Sequence, residues 1–473
     1  MRARLLAAAM VALLGSWLAA PAATAAPTAP AASAASTGSA GPAKIKHFVY
    51  MIQGDRSFDN YFGTYPGADR IPAGTCQRRI VTGSDKECVR PFPLHGKAVP
   101  ALGAGTVELD NQYDEGRMDG FVAAYQNQGR DGGTAMGYYD QADLATYWGL
   151  ANRYVLLDHF FSSTRSGERV NRSYWVSGAA PPVGSAQAVA ADYARHLTIF
   201  DRLQASGTSW KFYVQGYDPT QTYRTASRTS PTTQPVRVPL LNYPRFLDNP
   251  ALSSHIADLS QYYRDLDSGQ LPAVSYITSN GPSERSARSI RSGQQLVTNL
   301  VGSLMLSDAW GSSAFLLTYD GSGGWYDHVR PPQVDSQGYG MRVPALLVSP
   351  YAAAGKVDSG VFDYTSALAF IEQNWKLAPL STRDAAATSI GTALEPRAGP
   401  RPADVQFGRP LVTKAKLTSA SVVYWCYGLV LCLVLGLVAF AAVGTSGSTR
   451  KAPPSPPADP SRSPRSVAVR ARI

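Results

Sequence analysis

Six apolar runs, each of strand length, punctuate the chain: His47–Ile52, Tyr154–Leu157, Trp210–Val214, Ala273–Ile277, Ala314–Thr318 and Pro344–Val348. Helix-like stretches lie between them, as at Gln294–Leu306 and Thr365–Leu377. Strands that alternate with helices cannot close as hairpins. They call for crossover connections, and so for an α/β sandwich around a largely parallel central sheet. In sheets of that kind ligands bind beyond the carboxyl ends of the strands. The loops that follow these runs are therefore where chemistry is expected.

The two ends bound the body. Met1–Ala26 has a short basic start (Arg2, Arg4), an apolar run and a close of small residues, the order of a secretory signal peptide. Residues 27–43 are Ala, Ser, Pro, Thr and Gly and read as a flexible linker. Residues 44–394 form the globular body, and 395–420 turn Pro- and Arg-containing, as a stalk would. Residues 421–443 are uncharged and apolar, long enough for one transmembrane helix, with Tyr424, Trp425 and Tyr427 at its first turns. The basic tail 444–473 then falls on the cytoplasmic side, giving a single-pass protein of the cell membrane with its body outside.

The formal net charge of +10 resembles a nucleic-acid signal only until it is mapped. The tail carries +5 of it and the leading segment +2, leaving +3 for the body. That balance excludes a polyanion-binding domain, and no nucleic-acid partner is expected. Four cysteines are present, and Cys76 and Cys88 are the only pair in the body, so a short-loop disulfide is expected there. No Cys/His spacing suggests zinc. No Gly-x-Ser-x-Gly elbow supports a Ser-His-Asp hydrolase.

The loops carry more than composition. After the first run comes Gln53-Gly-Asp-Arg-Ser-Phe-Asp-Asn-Tyr-Phe-Gly63, and after the Ala314 run comes Thr318-Tyr-Asp-Gly-Ser-Gly-Gly-Trp-Tyr-Asp-His-Val329. Between them lie Gly116-Arg-Met-Asp-Gly-Phe121, Gly137-Tyr-Tyr-Asp-Gln-Ala-Asp-Leu144 and a segment from Phe161 to Gly178 that includes Glu168, Asn171 and Arg172. Arg342-Val-Pro-Ala-Leu-Leu-Val-Ser-Pro-Tyr351 closes the series. In this order, from about Lys44 to Leu380, the motifs resemble the bacterial phosphoesterase family of phospholipases C and acid phosphatases. The resemblance implies an alkaline-phosphatase-like sandwich and metal-assisted attack on a phosphate ester. Such chemistry asks for acidic ligands to a hard cation, a metal-activated hydroxyl and cationic groups around the phosphoryl oxygens.

The chain departs from that pattern where the chemistry sits. The family's Glu-Asn before Arg-Ser-Phe-Asp is Gly54-Asp55 here, and its late Asp-Glu is Asp320-Gly321. Counting back from Asn171-Arg172 puts Glu168 in the slot of the nucleophilic Ser or Thr. Family histidines align with Asp110, Arg285 and Tyr364. Only His328, beside Asp327, stands as the pattern expects.

Several readings follow from the resemblance and stay open on the sequence. Asp55 and Asp320, with Glu168, could hold a divalent metal of the Ca²⁺ or Mg²⁺ type; otherwise they cap loops or pair with nearby arginines such as Arg56 or Arg165. Glu168 is a nucleophile or a fixed anion. Asn171, Arg172, Asp327 and His328 fill the remaining catalytic positions, with His328 an acid/base group or part of a packed loop. Arg165, Arg169 and Arg285 would bind an anionic ligand, with Arg285, Arg288 and Arg291 forming either one basic edge or a solvated face. Two functions compete: a hydrolase of phosphate esters, of phospholipase C or acid phosphatase type, and a pseudoenzyme that binds an anionic ligand or envelope partner.

Overall fold

Burial on both faces explains why the strands read as continuous apolar runs rather than alternating ones. The computed structural model describes residues 45–404, apart from breaks at 81–87, 97–98, 100, 104, 184–185, 227–232, 280–283, 285–286 and 396–399, together with residues 431–436. Eight strands make the main sheet: β1 (His47–Gln53), β2 (Val155–Leu157), β3 (Trp210–Gln215), β4 (Ile256–Asp258), β5 (Val274–Ser279), β6 (Ser313–Tyr319), β7 (Leu346–Val348) and β8 (Lys356–Asp358). Their order is β8-β2-β7-β6-β1-β5-β3-β4. Only β7 runs against its neighbours β6 and β2; the other pairings are parallel. The largely parallel α/β sheet expected from the apolar runs is the one observed, and all six runs fall on its strands.

β1 sits at the centre, with Val49 opposite Phe315 of β6 on one side and Ser275 of β5 on the other. Every residue of β6 is buried, as is every residue of β1 after His47. Four helices bear on the site: α1 (Phe58–Phe62), α2 (Glu168–Ser177), α3 (Ala287–Leu306) and α4 (Tyr364–Trp375). α4 starts where Asp363 accepts the Thr365 N–H in a capping box with Ser366. It stops where Lys376 turns left-handed, at φ 56°. Trp175 of α2 packs on Tyr276 of β5 and Phe212 of β3, with ring centroids 4.8 and 5.2 Å apart. That contact sets the helix against the sheet and directs its N-terminus to the strand ends.

A buried carboxylate ties those strand ends together. Glu284 lies between β5 and α3 and accepts hydrogen bonds from Tyr61 at 2.7 Å, from Tyr319 at 2.9 Å and from Tyr147. Arg56 donates to its backbone carbonyl and to the Tyr61 hydroxyl. A Cβ on Gly293 would lie 2.0 Å from the Glu284 carboxylate, so α3 passes this group only because it has glycine there.

Cys76 and Cys88 form the expected disulfide, with Cα atoms 5.6 Å apart. Residues 400–404, at the start of the expected stalk, are bonded to the body through Arg401 N to Pro350 O at 3.1 Å and Trp310 Nε1 to Arg401 O at 3.3 Å. The expected signal peptide and linker lie outside the described residues, as does the basic tail.

The transmembrane helix requires correction. Among the described residues no helix is long and apolar enough to cross a membrane. Of the segment 421–443, only residues 431–436 are described, and they are helical; the rest lies outside the described residues. The chain therefore does not support a single-pass membrane protein, and the orientation inferred from the spanning helix falls with it. Apolar composition over 421–443 meets the length criterion for a span, but composition alone does not make a helix, and among the described residues none of spanning length is present.

Burial pushes the Glu284 carboxyl up to about 7, against the pull of the three tyrosine hydroxyls and Arg56. Between the ordinary value of 4.5 and about 7 the folded chain keeps a proton that the unfolded chain has released. The contribution to stability is therefore full below that ordinary value and is lost as pH rises through the window. Relative to Glu284→Gln, the wild type is expected to lose up to about 3 kcal/mol across this range. Urea unfolding of both proteins on either side of the window measures the difference; equal pH slopes would show that Glu284 does not titrate there.

Candidate functional site

The crevice beyond β1, β5 and β6 begins with a backbone contact. Asp55, just after β1, takes a left-handed conformation at φ 58°. Its N–H donates to Asp320 Oδ1 at 3.0 Å, while the Asp320 N–H donates back to Gln53 O at 3.0 Å. Gly323 makes this turn possible: a Cβ there would lie 2.5 Å from the Asp55 side chain.

The other Asp320 oxygen is held by a guanidinium. Arg172 donates from Nε at 3.0 Å and from Nη2 at 2.8 Å to Asp320 Oδ2, and both residues are fully buried. Nη1 of Arg172 donates to Thr278 Oγ1 of β5 at 2.9 Å and to Arg237 O at 3.0 Å. Glu168 opens α2, and its Oε1 lies 3.2 Å from Arg172 Nε and 3.9 Å from Arg237 Nε. The helix N-terminus favours a carboxylate at that position. Asn171 closes the loop before the helix by exchanging two bonds with the Thr164 backbone, at 2.9 and 3.2 Å. Tyr364 is fully buried and donates to Tyr319 O at 2.5 Å.

A second ionic cluster lies beside α1. Arg342 donates from Nε to both oxygens of Asp327, at 3.0 and 3.3 Å, and from Nη2 to Asp59 Oδ1 at 3.0 Å. His328 Nδ1 is 2.8 Å from Asp59 Oδ2, and its Nε2 is 3.1 Å from Asp69 Oδ1. His159 Nε2 meets the other Asp69 oxygen at 3.1 Å. Burial pushes the Asp327 carboxyl up to about 6; Arg342 opposes that rise and the Asp59 charge adds to it. On His328 burial works against the charged form, but the Asp59 hydrogen bond and the Asp59 and Asp327 charges outweigh it and raise the pKa.

Two groups of described residues have the spacing of metal ligands, Asp59–Asp327–His328 and the more exposed His95–Asp140–Asp143. The crevice carboxylates Asp55, Asp320 and Glu168 do not form such a group. Asp320 and Glu168 are turned onto Arg172, a cation already in place. In the Asp59–Asp327–His328 group the carboxylates are likewise held by Arg342 and by backbone N–H groups. A dication in the crevice would share Asp320 and Glu168 with a buried guanidinium, so Asp55, Asp320 and Glu168 as arranged do not fit a hard cation, and the spacing of metal ligands is found instead in the other two groups.

Of the residues singled out in the sequence, Asp55, Glu168, Asn171, Arg172 and Asp320 come together in the crevice. Asp327 and His328 join the neighbouring cluster. Arg165 turns instead to Asp110 at 3.2 Å, Tyr339 O at 3.3 Å and the face of Tyr113. Arg169 is exposed, as is Arg291. Arg285 lies outside the described residues. The partner expected for Asp55 and Asp320 was Arg56 or Arg165; for Asp320 it is Arg172, because Arg56 is engaged at Glu284. Sequence reasoning gave no role to Asp59 or Arg342, although both stand in the quoted motifs. Thr278 and Arg237 carried no signal at all.

The sequence profile of the Phosphoesterase family matches residues 45–378. Among curated proteins, the non-hemolytic phospholipase C of Pseudomonas aeruginosa is 26% identical over 396 residues, covering 70% of this chain and 54% of that protein. Phospholipase C A of Mycobacterium tuberculosis is 27% identical over 383 residues, covering 69% and 72%. The chain thus spans about half the length of the Pseudomonas relative. Among solved structures, a protein of the alkaline phosphatase superfamily from Vibrio parahaemolyticus superposes with a TM-score of 0.35 at 11% identity, covering 71% of this chain and 68% of that one.

Removing Arg342 strands two buried carboxylates side by side. Arg342→Gln is expected to lower stability by about 3–5 kcal/mol near neutral pH. The loss should shrink as pH falls below the Asp327 value, because protonating that carboxyl removes one stranded charge. Chemical unfolding of wild type and variant at neutral and mildly acidic pH checks both the size and its direction.

Proposed function

The chain belongs to the Phosphoesterase family, and from that premise we propose that it recognises phosphate esters while ordinary metal-assisted hydrolysis has been displaced by an ion-paired site. The observation that carries this reading is the fork from Arg172 to Asp320 with Glu168 closing on the same guanidinium. Metal-assisted phosphoryl transfer needs a hydroxyl next to a cation. Here a carboxylate occupies the nucleophile slot, and the acidic side chain that would hold the cation neutralises an arginine instead. A Ca²⁺- or Mg²⁺-type ion held by Asp55 and Asp320 would first have to displace Arg172. Arg237, beside Glu168, offsets part of the negative charge that would otherwise repel a phosphate.

The ligand class is a phosphate ester such as a phospholipid head group, in keeping with relatives described as phospholipases C. A second reading, retained hydrolysis, draws on the Asp59–Asp327–His328 group. There a carboxyl and an imidazole with raised pKa stand next to each other, the arrangement an acid/base pair needs.

Turnover of p-nitrophenyl phosphate, bis-p-nitrophenyl phosphate and p-nitrophenylphosphorylcholine by the purified chain, with Mg²⁺, Ca²⁺, Mn²⁺ or Zn²⁺ supplied in turn, separates the two. Rates at the uncatalysed background are expected with each metal. Glu168→Ser combined with Gly321→Glu, a position where a Cβ meets nothing closer than 3.9 Å, is expected to raise metal-dependent turnover above that background. Metal-dependent turnover by the wild type above that background would overturn the ion-paired reading in favour of hydrolysis.

A further inference from the structure

A groove of about 700 Å³ lies between the loop 63–75, Arg90–Pro91 and Tyr138. None of its lining residues belongs to the Arg172–Asp320 network. Its charged lining residues are Asp69, Arg70 and Arg90. Asp69 is an anion on this wall, but its carboxylate oxygens are taken up by His328 and His159, each at 3.1 Å, and by Arg342 at 3.7 Å, not by Arg70 or Arg90. Arg70 and Arg90 are both exposed and have no carboxylate partner among the described residues. The groove therefore presents two guanidinium groups, neither of them ion-paired, against one carboxylate.

Both arginines stand on restrained backbone. The Asp69 N–H donates to Asp158 Oδ2 at 2.9 Å, and the Ile71 N–H donates to Gly63 O at 3.0 Å, which fixes the loop on either side of Arg70. Arg90 follows the disulfide-closed ladder in which Gln77 pairs with Val89 and Arg78 with Cys88. Tyr138 is set beside this segment by the parallel pairing of Pro93 with Tyr138. The wall also holds an orphan: Thr64 Oγ1 is buried and has no hydrogen-bond partner among the described residues.

We propose that this groove binds a phosphorylated sugar or polyol. The phosphate sits between Arg70 and Arg90, where planar guanidinium forks match its oxygens, and the C–H face of the sugar lies against Tyr138. The volume suits a ligand of that size. This site stands whether or not the crevice hydrolyses anything.

Calorimetric titration of the full chain with glucose 6-phosphate, inorganic phosphate and glucose tests the proposal. Glucose 6-phosphate is expected to bind, and Arg70→Gln with Arg90→Gln is expected to weaken it by at least about tenfold. Arg264→Gln, an exposed arginine elsewhere, should leave binding unchanged. Tyr138→Ala should weaken glucose 6-phosphate while sparing inorganic phosphate, and glucose alone should not bind. Retention of the wild-type unfolding midpoint by the double variant ties its loss to the groove. Absence of binding to the wild type would overturn the proposal. So would equal affinity in the double variant, which would move the site elsewhere, an equal loss in Arg264→Gln, which would mark bulk charge attraction, or tight binding of glucose alone.

Discussion

Charge taken out of water at the end of a parallel sheet has to meet opposite charge, and Arg172 is where this fold meets that demand. Its guanidinium reaches the loop after β6 through Asp320, the end of β5 through Thr278, and the Arg237 carbonyl. It thereby joins α2 to the end of β5, the loop after β6 and the short helix Gln234–Arg237 from a single side chain. Burying such a pair is stabilising only when every polar atom around it is bonded. The bonds from the Asp55 N–H to Asp320 and from the Asp320 N–H to Gln53 O satisfy the backbone groups beside the pair. What makes the crevice stable also makes it poor at holding a cation, because one oxygen of the carboxylate is committed to each kind of donor.

The neighbouring cluster follows the same logic with a different readout. Arg342 spans Asp59 and Asp327 while Asp69 stands between two histidines, so acidic and basic groups alternate from His159 to Arg342. An alternating series leaves no large local excess of charge. Arg70 and Arg90, one step outward, have no place in the series and keep theirs.

The sheet was legible because a strand covered on both faces is largely apolar, and β1 and β6 carry unbroken apolar runs at Phe48–Ile52 and Ala314–Leu317. The helical stretch Thr365–Leu377 and the Cys76–Cys88 pair were legible for equally local reasons. Glu168, Asn171, Arg172, Asp55 and Asp320 were found as positions, through the motif order, but their mutual arrangement was not. Which arginine faces Asp320 depends on where Arg56 goes, and Arg56 is drawn to Glu284, 228 positions away. No periodicity encodes that choice. Thr278 and Arg237 were missed for the same reason, since each enters the site through one hydrogen bond from a residue remote in sequence. The spanning helix failed differently: uncharged composition is a necessary condition for crossing a bilayer, and 421–443 met it without a continuous helix being described there.

The placement of β1 at the centre of the sheet has a consequence for how the molecule is made. The strand is synthesised early, yet the neighbours on its two sides arrive only with residues 274–279 and 313–319. Until then the apolar run Phe48–Ile52 has no ladder to join, and the loops closed in joining it span more than two hundred residues. Closing such loops before any contact rewards them makes folding slow. The nascent chain thus passes through a long interval with its most hydrophobic strand unpaired. A factor that shields residues 47–53 during that interval would govern yield without altering the stability of the finished protein.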